Sequence, residues 1–149
     1  MGMVPQELIP ALGGALRLIL AAALGGVLGY ERERLGKAAG LRTHMLVSLG
    51  SALFILSTLE AGAMPGDVTR VVQGIATGIG FVGAGAILKL VEPGHVQVKG
   101  LTTASTVWIA AAVGMAVGSG RIWLPVFSTA LCLVILVVLG RYEHHPATP

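Results

Sequence analysis

The sequence predicts an all-α polytopic membrane protein: a bundle of about five transmembrane helices, N-terminus outside and C-terminus cytoplasmic. Three observations carry that expectation. Hydrophobic residues make up 54% of the chain and charged residues only 11%, where a soluble domain carries about 25% charged residues. Mean hydropathy is +0.84, too apolar for a chain that must cover a globule with polar side chains. The apolar residues fall into five runs of about 17–23 residues, near 8–30, 43–59, 70–91, 102–118 and 122–140, the length a helix needs to cross the hydrocarbon. Short polar connections join them, which predicts a single transmembrane domain with antiparallel neighbouring helices.

The first run is expected to be retained as a helix. It has no basic stretch ahead of it, and Arg17 falls inside it, so it does not read as a signal peptide. An arginine within a span is costly unless it faces protein or water. Gly13, Ala21 and Gly25 lie at four-residue steps from Arg17 and share its helix face. Glu31 lies about 21 Å farther along at 1.5 Å per residue, too far to pair with it. A partner is therefore expected from another helix, Glu60 or Asp67 being the acids available. The alternative is that Arg17 snorkels to the outer headgroups.

The connection GYERERLGKAAGLRTHM concentrates most of the charge, and Gly36 and Gly40 permit turns. It reads either as an interfacial elbow on anionic lipid or as a cytoplasmic mouth flanked by Glu31 and His44. Carboxylates suit a hard cation such as Mg2+, but the acids here are too sparse for a dehydrated cage. Arg32, Arg34, Lys37 and Arg42 stand here, Lys89 and Lys99 between the third and fourth runs, and Arg141 in the tail; only Arg70 and Arg121 flank the other side. By the positive-inside rule the former side is cytoplasmic. With no aromatic-studded basic face, the net charge of +3 describes topology and not nucleic-acid binding.

The third run, RVVQGIATGIGFVGAGAILKLV, contains Gly74, Gly78, Gly80, Gly83 and Gly85. Small residues let helix backbones touch in a membrane, so this helix is expected to be the packing hub of the bundle. Its GIGFVG matches the dinucleotide fingerprint literally but lacks the strand, amphipathic helix and distant acid that the fingerprint needs. A span locally broken at its glycines, offering carbonyls to a solute, stays open as an alternative.

The fourth run opens with KGLTTASTVW. Thr102 or Thr103 is expected to cap the helix start, and a helix N-terminus beside Lys99 would also suit an anion. Trp108 lies too deep for an interfacial belt and is expected in the core or on a cavity wall, whereas Trp123 fits the belt. Small residues recur at Gly25 and Gly29 in the first run and at Ala110, Gly114 and Gly118 in the fourth. The fifth run is bulky and expected to face lipid. Cys132 within it reads as a small buried hydrophobe. His144 and His145 form only a weak metal signal. No Ser-His-Asp arrangement, Walker motif, HExxH or CxxC is found, so no enzyme is expected.

Together GYERER (29–34), GLRTHMLVSLGSALF (40–54), DVTRVVQGIATGIGFVGAGAIL (67–88) and KGLTTASTVWIAAAVGMAVGSG (99–120) resemble the MgtC/SapB family of bacterial inner-membrane proteins. The resemblance covers nearly the whole chain. It implies a polytopic inner-membrane protein associated with adaptation to low magnesium and, in some bacteria, with virulence, the link to Mg2+ being either regulatory or one of transport. It singles out Glu31, Arg32, Arg42, Thr43, His44, Asp67, Arg70, the glycines of 78–85, Thr102, Thr103 and Trp108. Lys99 stands where an arginine is common, which keeps the charge but loses bidentate geometry. Longer members carry a soluble domain after the last helix. This chain ends nine residues after Gly140, and the expectation is the membrane domain without that addition. Two functions follow: a regulator acting through other membrane proteins, or a small ion or solute transporter or channel. The transporter would work as a homo-oligomer with Arg17, Glu31, Asp67 and Thr102 along a polar path. No cofactor is expected, Mg2+ being the ligand to consider. The expected partners are lipid and membrane proteins, self included, and not nucleic acid.

Overall fold

The computed structural model describes residues 8–92 and 95–142. Five helices follow the five apolar runs: α1 (Leu8–Arg34), α2 (Leu41–Glu60), α3 (Pro65–Gly85), α4 (Leu101–Gly118) and α5 (Trp123–Tyr142). Between α3 and α4 stands an antiparallel hairpin of β1 (Leu88–Glu92) and β2 (His95–Lys99), pairing Leu88 with Lys99 and Leu90 with Gln97. The all-α expectation needs that one addition. Gly100 joins β2 to α4 at φ +97°, and a Cβ there would overlap the Ala86 carbonyl, so only glycine fits this corner.

Helices α1, α2, α4 and α5 are each long and apolar enough to cross a membrane. Asp67, Arg70, Gln73 and its glycines make α3 less apolar, yet it still traverses the bundle. His44 near the start of α2 meets Thr106 near the start of α4, and Ala52 farther along α2 faces Gly118 at the end of α4. Those two helices therefore run parallel, and α3 returns the chain between them. Its 21 residues reach about 31 Å at 1.5 Å per residue.

The core lies among α1, α2 and α4. Ala21, Ala52 and Val117 form its centre, with Leu18, Leu20 and Leu24 against them. Leu28, Ile55, Val107 and Val113 are fully buried. Helix backbones approach closely here because glycines face them. A Cβ on Gly25 of α1 would lie 2.5 Å from the His44 carbonyl oxygen and 2.7 Å from Ser48 Cβ, and one on Gly29 would lie 2.7 Å from Leu41 Cα. From the other side, a Cβ on Gly114 of α4 would overlap the Ser48 carbonyl, and one on Gly118 would lie 2.7 Å from the Ala52 carbonyl oxygen.

The packing hub is therefore α2, not the glycine-rich α3. A Cβ on Gly74, Gly78, Gly80 or Gly85 would meet nothing within 4 Å; only Gly83 is buried, against Ala104. The run 70–91 is also shorter as a helix than expected, since its last residues belong to β1. Its helical part is continuous, so the broken-span alternative falls. The expected periphery of α5 holds: most of its side chains are exposed, and Trp123 is 85% exposed. Helix α1 in turn runs on through the GYERER stretch to Arg34, leaving residues 35–40 as the elbow.

In detergent, Gly114→Ala is expected to destabilise the protein by about 1–3 kcal/mol, the usual cost of overpacking. Gly78→Ala is expected to be neutral or to stabilise, because alanine is the better helix former by about 1 kcal/mol. Thermal unfolding of both variants checks this, and equal damage from the two would restore α3 as hub.

Candidate functional site

The polar side chains of the core gather where α1 ends and α2 and α4 begin. Arg32 is 3% exposed, although it sits only two residues from the end of α1. Its Nε lies 2.9 Å from Oε2 of Glu31, and Glu31 is mostly buried too. The pair is close without the alignment of a hydrogen bond, and Arg32 Nη1 has no partner among the described residues. Thr129 Oγ1 on α5 is likewise buried without one. Cys132, three residues on, lies within electrostatic reach of both charges.

His44 is fully buried one helical turn into α2. Its Nδ1 is 2.8 Å from the Gly40 carbonyl oxygen and its Nε2 is 3.1 Å from Thr106 Oγ1. The Thr106 hydroxyl is 2.9 Å from the Thr103 carbonyl oxygen, to which it can donate. Ser48, one turn beyond His44, donates to the Ala21 carbonyl oxygen at 2.7 Å. These links tie α2 to α4 and to α1 at the level where glycines bring the three backbones together.

Glu33 closes the elbow from outside. Its Oε2 accepts from the Leu41 amide at 2.7 Å, placing a carboxylate on the exposed N-terminal amides of α2, where the helix dipole favours it. Arg34 lies over the Tyr30 ring at 5.9 Å.

Of the expected site residues, Glu31, Arg32, His44 and Thr103 belong to this cluster. Thr43 is half-buried beside it, and Arg42 points outward. Arg17 is at the far end, where its Nη1 donates to the Gly118 carbonyl oxygen at 3.4 Å. The partner of Arg17 is thus the backbone end of α4, not Glu60 or Asp67, and a cation suits the negative end of a helix. Asp67 and Arg70 pair with each other at 3.1 Å on the exposed start of α3, and Asp67 Oδ2 accepts from the Met64 amide. Helix α4 starts from Gly100 without a side-chain cap, so Thr102 and Thr103 do not cap it. Thr102 is exposed, and Trp108 is half-exposed. Trp108 lines an open groove of about 450 Å3 beside Gly80, Gly83 and Ala104. Gly74 and Gly78 line a second, larger groove of about 520 Å3 facing Gly50 and Phe54 of α2. His144 and His145 lie outside the described residues.

Ser48, Thr129 and the role of Glu33 were not foreseen, and Thr106 was expected only as one of several hydroxyls, with Thr102, Thr103 and Ser105, to cap the helix or bond between helices. Thr106 had a signal: it follows Thr103 by three residues and precedes Ala110 and Gly114 at four-residue steps, which puts all four on one helix face. Among the described residues no three His, Cys, Asp or Glu side chains come together.

Arg32→Met is expected to cost about 3–5 kcal/mol, because it strands a buried carboxylate. Adding Glu31→Gln to it should recover most of that loss. Reversible unfolding in mixed micelles measures both, and simple additivity of the two substitutions would refute the pairing.

A model of the MgtC family matches residues 18–145. The chain is 43% identical over 141 residues to Protein SrpB of Synechococcus elongatus, covering 89% of this chain and 78% of SrpB. It is 41% identical over 133 residues to the Putative magnesium transporter YhiD of Escherichia coli K12, covering 85% of this chain and 60% of YhiD. It is 38% identical over 126 residues to Protein MgtC of Salmonella typhimurium, covering 85% of this chain but 50% of MgtC. No solved structure matches. On these similarities, together with its apolar helices, the chain belongs to the MgtC family and is a multi-pass membrane protein.

Proposed function

We propose that this protein is a regulatory protein of the bacterial inner membrane, linked to magnesium homeostasis or low-magnesium adaptation, which acts by contacting other membrane proteins. The observation that carries the reading is a dry core between two polar ends. Arg17 at one end is satisfied by the Gly118 carbonyl, and Arg32 with Glu31 occupies the other. Between them Ala21, Leu28, Ala52, Ile55, Val113 and Val117 are at most 2% exposed. A hydrated cation passing between those ends would have to displace well-packed side chains, since Mg2+ sheds its water reluctantly. The sparse acid set and the buried Arg32, which repels cations, support the same side. The reading is also non-enzymatic: the His44–Thr106 pair is buried in the helix core, out of reach of a substrate.

Transport of an ion or solute, Mg2+ included, by a homo-oligomer is the second reading. The name of YhiD favours it, as does the presence of a buried ion pair at one end. Purified protein in liposomes loaded with a Mg2+-sensitive dye separates the two. No Mg2+ influx above protein-free vesicles is expected, while expression should restore growth in magnesium-poor medium to a strain lacking its own relative. Influx abolished by Glu31→Gln would overturn the regulatory reading.

The proposed orientation, N-terminus outside and C-terminus cytoplasmic, rests on the basic residues of the elbow and hairpin. In a Cys132→Ala background, Lys37→Cys is expected to resist an impermeant thiol reagent in intact spheroplasts and Met64→Cys to react. The opposite pattern would invert the topology.

A further inference from the structure

Helix α3 presents a face that no other described part of the chain covers. Gly74, Gly78, Phe81 and Gly85 follow one another along it at steps of four, three and four residues, the spacing of a seam between two helices. All four are exposed, Phe81 to 85%, and a Cβ on Gly74, Gly78 or Gly85 would meet nothing within 4 Å. Gln73 and Thr77 stand beside them, exposed and without hydrogen bonds among the described residues. At 1.5 Å per residue Gln73 lies about 12 Å from the Pro65 end of α3 and about 18 Å from the Gly85 end. That depth is inside the hydrocarbon, where polar side chains facing lipid are costly.

Alongside this face runs the groove of about 520 Å3 between α3 and α2, with Gly74 and Gly78 on one wall and Gly50 and Phe54 on the other. Ser51 also lines it. Although Ser51 is only 4% exposed, its hydroxyl has no hydrogen-bond partner among the described residues. A buried hydroxyl without a partner is costly, so the occupant of the groove has to bring an acceptor. The hydrocarbon of an acyl chain has none.

A side chain that fits the groove stands on the same helix. Helical side chains lean toward the N-terminus, so Phe81 covers the turn before its own Cα, at the level of Gly78. Two copies inserted in the same orientation and related by a twofold axis along the membrane normal set α3 parallel to α3, every residue at the depth of its counterpart. Phe81 of each copy then stands where Gly78 of the other leaves room. We propose that α3 is the seam of a homodimer, in which Phe81 of each copy enters the α2–α3 groove of the other. Gln73 and Thr77 suit that symmetry, because an amide and a hydroxyl each donate and accept, so like can bond like at one depth. The glycines let the second α3 backbone approach, and its carbonyls, each with a second lone pair, are acceptors for Ser51. Charge does not oppose the contact: Arg70, at the Pro65 end, is paired with Asp67 of its own helix at 3.1 Å. The dimer is independent of whether the protein regulates or transports.

The test is single-molecule photobleaching of the full chain, with a fluorescent protein fused after Pro149, in bacterial phospholipid liposomes over a series of dilutions in lipid. Dimers are expected that dissociate on dilution. Phe81→Ala removes the inserted ring and Gly78→Leu fills the groove. Each should weaken dimerisation at least about tenfold, as truncating a buried aromatic anchor does. Neither position is packed within its own chain, so thermal unfolding in detergent should not be lowered. A Phe81→Ala copy keeps its groove and a Gly78→Leu copy keeps its phenylalanine, so the two mixed should dimerise more tightly than either alone. Monomers at every dilution, which would leave the face to lipid or to another protein, would overturn the proposal. So would a dimer that neither substitution weakens, or a mixed pair no tighter than its parents. If one variant does not fold, the wild-type dilution series and the other variant decide.

Discussion

One turn of α2, centred on Ser48, is gripped from two sides, and the rest of the bundle depends on that grip. Gly25 of α1 faces the Ser48 side chain, and Gly114 of α4 faces its carbonyl. In lipid there is no water to expel from between apolar helices, so association rests on close packing and interhelical hydrogen bonds. Both are realised at the same turn. Because the backbones approach so nearly, the short Ser48 side chain reaches the Ala21 carbonyl. One turn earlier, the same approach brings His44 to Thr106 across the α2–α4 seam. The polar cluster is thus a consequence of the glycine contacts and would come apart with them.

The peripheral helices follow from the same constraint. Three helices in mutual contact leave no further shared seam, so α3 and α5 lie against the outside. Helix α3 meets α4 where Gly83 faces Ala104, near the hairpin. Away from that point its glycines border grooves instead of partners. Glycine has two uses in this chain: in α1 and α4 it admits a backbone, and along most of α3 it leaves space.

That duality explains what the sequence could and could not disclose. Helix number was legible because hydrocarbon thickness imposes a length that apolar runs must meet. The hub was not, because a count of glycines records how many lack a side chain and not which face another helix. Gly25, Gly29, Gly114 and Gly118 were visible as four-residue repeats, yet the denser cluster at 74–85 outweighed them. The hairpin was hidden for a related reason: Leu88, Leu90 and Val91 are apolar enough to prolong a span. Within the site, Glu31, Arg32 and His44 stood out as charge or imidazole beside apolar runs. Glu33 did not, since its role depends on the elbow folding back onto the start of α2. Thr106 was read as one hydroxyl among several, and only pairing with α2 distinguishes it from exposed Thr102 and Ser105.

The placement of Arg32 and Glu31 carries a further consequence. Side chains at adjacent helix positions diverge by about 100°, so a pair at i and i+1 is not a natural surface contact. Here the two converge because Arg32 is forced inward, where leaving a guanidinium alone is far costlier than bending toward the neighbouring carboxylate. A methionine would bury more cheaply at the end of α1, and an exposed arginine would anchor the elbow equally well. An arginine that is buried, paired with its neighbour and still left with one nitrogen unpartnered among the described residues is therefore not accounted for by anchoring. Its charge is held within electrostatic reach of His44, so whatever alters the Arg32–Glu31 pair also alters the field at the imidazole. The buried pair and the hydrogen-bonded row through His44 thereby form one electrostatic unit at this end of the bundle.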